Sequence, residues 1–188
     1  MPIGVLAIQG DFSKHVVALQ RLGHTALLVR TTAELDQCDG LIIPGGESTT
    51  LTIVMQKHQL WEPLRRFGKE KVIFGTCAGL IILATKVPNH AFAPLGLIDV
   101  TVERNAYGRQ KDSFIDDVNV TLNGRDHQIP GFFIRAPKIL HTGQTTSVLG
   151  THDDEIVLVE NDHVLAATFH PELTNDTSIH DYFLHKIT

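Results

Sequence analysis

Cysteine is scarce in this sequence. Its two occurrences sit in unlike surroundings, Cys38 in polar "DQCDG" and Cys77 in apolar "FGTCAGL", which argues against a disulfide framework and makes each thiol a separate question. Long hydrophobic runs are missing too. No apolar stretch approaches the roughly eighteen residues of a membrane span, and the opening "MPIGVLAIQGD" has neither the basic start nor the long apolar run of a secretory signal. These absences predict a cytoplasmic chain that does not enter a membrane. Positive charge is in deficit, with 16 Lys and Arg against 21 Asp and Glu and a formal charge of -5, so the electrostatic footprint for nucleic acid or an anionic membrane is absent. The 11 histidines are scattered rather than gathered, and no metal site is expected from them. No internal repeat, low-complexity tract or linker divides the chain, which predicts a single domain over residues 1–188.

What is present is an alternation of short apolar runs with helical patterns. "IGVLAI" (3–8), "TALLV" (25–29), "GLIIPGG" (40–46) and "VIFGT" (72–76) are apolar without a break, as strands are when both faces of a parallel sheet are covered by helices. Phe12, Val16, Leu19 and Leu22 recur at helical spacing before Gly23, predicting a helix over 12–22 with Gly23 at its C-terminal cap. Ser48 or Thr49 can cap a second helix that buries Leu51, Val54 and Met55. In the second half the strand-like runs 95–104, 114–123, 131–136, 155–162 and 163–169 follow too closely for crossover helices, so antiparallel or mixed strands are expected before a last helix over 177–187. The predicted class is α/β: a three-layer sandwich with a mixed, mainly parallel central sheet.

Gly75-Thr76-Cys77-Ala78-Gly79 has the form G-x-C-x-G, the thiol version of the nucleophile elbow, in which a strand turns sharply into a helix and lifts the nucleophile above the sheet. A helix N-terminus favours thiolate over thiol, the reactive form. The pentapeptide alone is equally compatible with a small buried hydrophobe. A base and its orienting group stand in "TFHPELT": Pro171 biases His170 away from helix, so Glu172 can bond one imidazole nitrogen while the other faces Cys77. Oxyanion donors are expected from the backbone N–H of Ala78 and from the "PGGES" stretch (44–48), where Gly46 and its neighbour Gly45 permit a peptide flip or form a plain tight turn. Cys38, with no elbow around it, reads as structural.

The blocks "PGGEST", "GTCAGLI", "VERNAYGRQ", "FIRAP" and "FHPEL" resemble the signatures of class I, triad-type glutamine amidotransferases, and in detail those of the glutaminase subunits of pyridoxal 5'-phosphate synthases. The similarity runs from "IGVLAIQGD" to the last helix. It implies the fold named above and hydrolysis of L-glutamine to glutamate and ammonia, with Cys77 as nucleophile, His170 and Glu172 completing the triad, and no metal or cofactor. It further implies that Gly46, Glu47, Ser48, Arg104, Ile134 and Arg135 contact glutamine. The implied partner is a (β/α)8-barrel synthase subunit that consumes the ammonia in a large hetero-oligomer, with Gln9, Gly10 and Asp11 near the docking face. Classed with that synthase, the chain would count as a lyase as well as a hydrolase. Asn105, Tyr107, Arg109 and Gln110 are read as pocket rim or partner surface. A glutaminase for another biosynthetic synthase, or a non-catalytic regulatory subunit, would share the fold.

Overall fold

The computed structural model describes residues 1–104 and 113–188; Asn105, Tyr107, Arg109 and Gln110 lie outside them. Period-two alternation explains how the parallel strands build two cores at once. In β1 (Ile3–Leu6), β3 (Gly40–Ile43), β4 (Val72–Thr76) and β12 (Val164–Ala167) every residue is buried. Ile3, Val5, Ile42, Phe74 and Leu165 face one core, whereas Leu6, Leu41, Ile43, Ile73 and Val164 face the other. Helices α1 (Phe12–Arg21) and α6 (Ser178–Ile187) close the first core through Leu19, Ile179 and Phe183. The second is closed by α3 (Ser48–Lys57), α4 (Trp61–Glu70) and α5 (Ala78–Leu83) through Leu51, Leu64 and Leu80. Each such fully buried side chain contributes roughly 1.5–3 kcal/mol of transfer free energy.

The main sheet has nine strands in the order β2-β1-β3-β4-β12-β11-β10-β7-β8, where β2 is Ala26–Val29, β7 Ser113–Leu122, β8 Arg125–Ile134, β10 Ser147–His152 and β11 Glu155–Glu160. It is parallel from β2 to β12 and antiparallel from β12 to β8. Because β1, β3 and β4 run the same way, the segments that follow them, Gln9–Asp11, Pro44–Glu47 and Cys77, emerge at one edge of the sheet, where open α/β folds bind ligands. Among the described residues no helix is long and apolar enough to cross a membrane.

Several boundaries differ from the sequence reading, each for a local reason. The α3 cap is Glu47, not Ser48 or Thr49: its carboxylate accepts from the N–H groups of Thr49 and Thr50. Of the run 95–104 only Ile98–Glu103 (β6) is strand, and it belongs to a separate three-stranded sheet with β5 (Ala84–Lys86) and β9 (Lys138–Thr142). Leu95, Gly96 and Leu97 are instead taken by Ile82, Ala84 and Leu83 carbonyls at 2.7, 3.0 and 2.8 Å. The run 131–136 is the end of a longer strand, because Asn123 and Gly124, at φ 52° and 71°, make a two-residue hairpin that pairs β7 with β8 over their whole length. Pro130 is tolerated there because β8 is the sheet edge.

Candidate active site

The nucleophile position is built by strain and close approach. Cys77 sits between β4 and α5 at φ 50°, ψ -101°, a left-handed conformation that costs a non-glycine residue about 1–3 kcal/mol and persists only where the surroundings enforce it. Enforcement is visible on both sides. The N–H of Cys77 donates to Ala167 O at 2.8 Å, pinning the elbow to β12. A Cβ on Gly79 would come within 2.3 Å of Ile43 O, and one on Gly75 within 2.6 Å of Leu83 and 2.8 Å of Gly79. Only glycine at both places lets α5 leave the strand this abruptly. Ala78 is the first residue of α5, so its N–H belongs to the unpaired donors at the helix start, next to the thiol.

The base arrives from β12. After Ala167 the chain leaves the sheet, His170 N–H donates to Phe132 O at 2.8 Å, and Pro171 opens a 3-10 turn over Pro171–Leu173. His170 keeps φ -111°, ψ 85°, outside the helical region that a following proline disfavours. Its Nδ1 lies 2.7 Å from Glu172 Oε1, and its ring also bonds the Cys77 side chain. Burial works against a charged ring, but the bonds to Cys77 and Glu172 outweigh it and push His170 up to about 10. Glu172 is likewise buried against its charge, yet His15 and His170 hold it well below the usual carboxylate range. The arrangement favours an imidazolium beside the Glu172 carboxylate. Gly45 makes room for it: a Cβ there would stand 2.3 Å from His170 Cε1 and 3.3 Å from Cys77 Cβ.

In front of the pair lies a cavity of about 230 Å³, a volume for a small metabolite rather than a polymer. Cys77 and His170 line it together with Gly46, Glu47 and Ser48 from the loop before α3. Arg104, Ile134 and Arg135 also line it. Glu172 stands behind His170 and Ala78 behind Cys77, outside the lining. The sequence reading brought Gly10 and Asp11 to this edge as a docking segment; they line the cavity itself, as do Ile81 and Leu173, which it did not name. Arg104 Nη2 is 3.0 Å from Glu47 Oε1. Glu47 also caps α3, and although burial opposes its charge, the bonds from Thr50 and Thr49 lower its carboxyl to about 2. That leaves the site with charges of both signs, the guanidinium groups of Arg104 and Arg135 and the carboxylates of Asp11 and Glu47, suited to a zwitterionic amino acid. Ile134 offers its carbonyl 3.9 Å from Cys77 Sγ, and Arg135 adopts φ 42°, a second left-handed residue at the site.

Two histidines behind the triad escaped the sequence reading. His15 of α1 and His180 of α6 are fully buried, with His15 Nε2 3.5 Å from Glu172 Oε1. Their signal was position: each lies on the buried stripe of its helix, beside Leu19 and Phe183 respectively.

Comparison with known proteins bears on what this site does. A family model described as "SNO glutamine amidotransferase family" matches residues 5–188. The chain is 50% identical over 188 residues, all of its length and 97% of the other, to "Pyridoxal 5'-phosphate synthase subunit PdxT" of Brevibacillus brevis. It is 50% identical to the protein of the same name from Thermosipho africanus, covering 99% of that chain. A solved structure titled "Crystal structure of glutamine amidotransferase" superposes with a TM-score of 0.93 at 42% identity, over 100% of this chain and 99% of that one. One expectation is overturned. The matched family is one of glutamine amidotransferases, whose reaction adds water across an amide, so the lyase classification expected from the sequence does not apply.

Proposed function

The chain belongs to the SNO glutamine amidotransferase family, and from that premise we propose that it is the glutaminase subunit of a pyridoxal 5'-phosphate synthase, hydrolysing L-glutamine at Cys77 with His170 and Glu172. The observation that carries this reading is the pairing of a thiol on a strained elbow with a buried imidazole whose Nδ1 is held 2.7 Å from a carboxylate. Each group then has a defined task. The Cys77 thiolate attacks the side-chain amide carbon, and the oxyanion that forms is received by the Ala78 N–H and the Gly46 backbone. His170 gives its proton to the departing nitrogen, ammonia leaves, and a glutamyl thioester remains on Cys77. Neutral His170 next takes a proton from water. The hydroxide attacks the thioester carbon, and glutamate departs as the thiolate reforms. Arg104 and Arg135 grip the α-carboxylate, Glu47 and Ser48 the amino-acid end, and Ile134 covers the side chain.

Ammonia released into water is protonated and lost as a nucleophile. The active-site edge therefore docks on the synthase, a (β/α)8 barrel in a hetero-oligomer, and the product passes across without meeting solvent. The continuous nine-stranded sheet supports reading residues 1–188 as one domain. A completed Cys77, His170 and Glu172 set favours turnover over a purely regulatory role. Replacement C77A in the assembled synthase tests the assignment: glutamine-driven synthesis is expected to vanish while synthesis from ammonium salts continues. Glutamine-driven synthesis that survived C77A would refute it.

A further inference from the structure

Glu172 orients the base, but its own environment is unusual. The Glu172 side chain is fully buried, its Oε2 has no hydrogen-bond partner among the described residues, and its Oε1 meets two imidazoles, His170 Nδ1 at 2.7 Å and His15 Nε2 at 3.5 Å. Behind it the chain of contacts continues. His15 Nδ1 lies 3.0 Å from His180 Nε2, and the Thr76 hydroxyl lies 3.3 Å from His15 Nε2. Four elements converge here: α1 supplies His15, α6 His180, β4 Thr76 and Phe74, and the 3-10 turn Glu172. The Phe74 ring packs edge-on against both histidines at 6.2 and 5.6 Å. His15, His170, His180 and Glu172 are the titratable groups that meet in this space, with Cys77 beyond His170.

Hydrogen-bond bookkeeping decides the proton positions. An unprotonated His15 Nε2 would turn a lone pair toward a buried carboxylate, an uncompensated repulsion in low dielectric. Nε2 therefore carries a hydrogen. His180 is kept neutral, since burial above all opposes a charge on its ring and pushes it down to about 3. Its Nδ1 is buried without a partner, and an orphaned N–H is rarer in proteins than an under-used acceptor. The His180 hydrogen accordingly sits on Nε2 and points at His15 Nδ1. The result is a directed series in which His180 donates to His15, His15 donates to Glu172, and Glu172 accepts from His170.

We propose that His15, backed by His180, is a positioning residue of the triad that keeps the Glu172 carboxylate ionised and aimed at His170 throughout the cycle. The need for a second donor follows from the reaction. His170 changes from imidazolium to imidazole when it protonates the leaving ammonia, and at that moment a carboxylate paired only with His170 would lose its cationic partner while still buried, a strongly destabilising state. His15 does not take part in the proton transfer, so its donor stays in place.

This role rests on the glutaminase reading above, and the experiment separates the two. In H15Q the amide nitrogen occupies the place of Nε2, whereas in H15N it occupies the place of Nδ1; H15L removes both. With the synthase subunit present, H15Q is expected within about threefold of the wild-type kcat, H15N and H15L about tenfold lower, with KM changed less than about twofold. The acid limb of the kcat/KM profile should rise by about one pH unit in H15N and H15L, because Glu172 protonates more readily. The chain alone supplies an independent readout: the pH at which iodoacetamide alkylation of Cys77 falls off should rise by a similar amount in H15N but not in H15Q. Should H15L fail to fold, the contrast between the two amides still decides. Equal kcat, acid limb and alkylation profile for H15Q, H15N and wild type would overturn the proposal. A wild-type complex that released no glutamate would refute the glutaminase reading instead, and the alkylation profiles would still judge His15.

Discussion

Adding one methyl group at Gly45 should disable the site without unfolding the protein. Alanine there is not opposed by the backbone, which is outside the left-handed region; the obstacle is the active site itself, with His170 Cε1 2.3 Å from the new Cβ and Cys77 Cβ at 3.3 Å. Ordinary contact begins at 3.4 Å, so the imidazole must retreat by about 1 Å, and a displacement of that size in a catalytic group costs about a hundredfold in rate. His170 has nowhere to retreat without stretching its 2.7 Å bond to Glu172 or the bond from its N–H to Phe132 O. The expected loss in kcat/KM for G45A is therefore about a hundredfold, roughly 3 kcal/mol of transition-state stabilisation. Glutamate release by the assembled complex measures it, with thermal melts as the check on folding. A G45A enzyme within twofold of wild type would show that the loop before α3 yields easily, and the tight packing argument for this site would be wrong.

Two further outcomes follow from other parts of the molecule. Stability should peak near pH 6.5. His170 is raised to about 10, so its contribution is complete below its unfolded value and lost as pH climbs toward 10; Glu172 is lowered, so its contribution is present above about 4.5 and lost as pH falls. His180, pushed down to about 3, adds to the acid loss because the unfolded chain takes up that proton from about pH 6.5 downward. Melting temperature against pH for wild type and E172Q checks this, the variant being expected to lose part of both limbs. Far from the site, Gly124 sits at φ 71° with open space where a Cβ would go, so G124A should cost about 1 kcal/mol in urea denaturation through backbone strain alone and leave glutaminase activity intact.

Much of this architecture was legible because short-range physics produces a pattern. Unbroken apolar runs at β1, β3 and β4 announced a sheet covered on both faces, and the G-x-C-x-G turn announced an elbow whose glycines the tight contacts of Gly75 and Gly79 explain. The hairpin at Asn123-Gly124 was equally readable, since that pair suits a two-residue turn with both φ values positive, but the apolar run that follows drew attention to the end of β8 instead of its start. Strands β5, β9 and β10 are harder. They are short, with mixed exposure, and are stabilised by neighbours far away in the chain, as β6 is by β9.

The sequence by itself determined the chemical inventory: a thiol on a turn, a histidine ahead of a proline and a carboxylate, and a glycine pair before a helix. These are local arrangements, written in consecutive residues. Only the tertiary structure decided which distant groups share a space. It placed Gly45 between nucleophile and base, made Glu47 serve at once as helix cap and partner of Arg104, and brought His15 and His180, 165 positions apart, into contact behind Glu172. A histidine on the apolar stripe of a helix signals burial in sequence, but its partner comes from the packing of α1 and α6 on one face of the sheet, and no local pattern encodes that meeting.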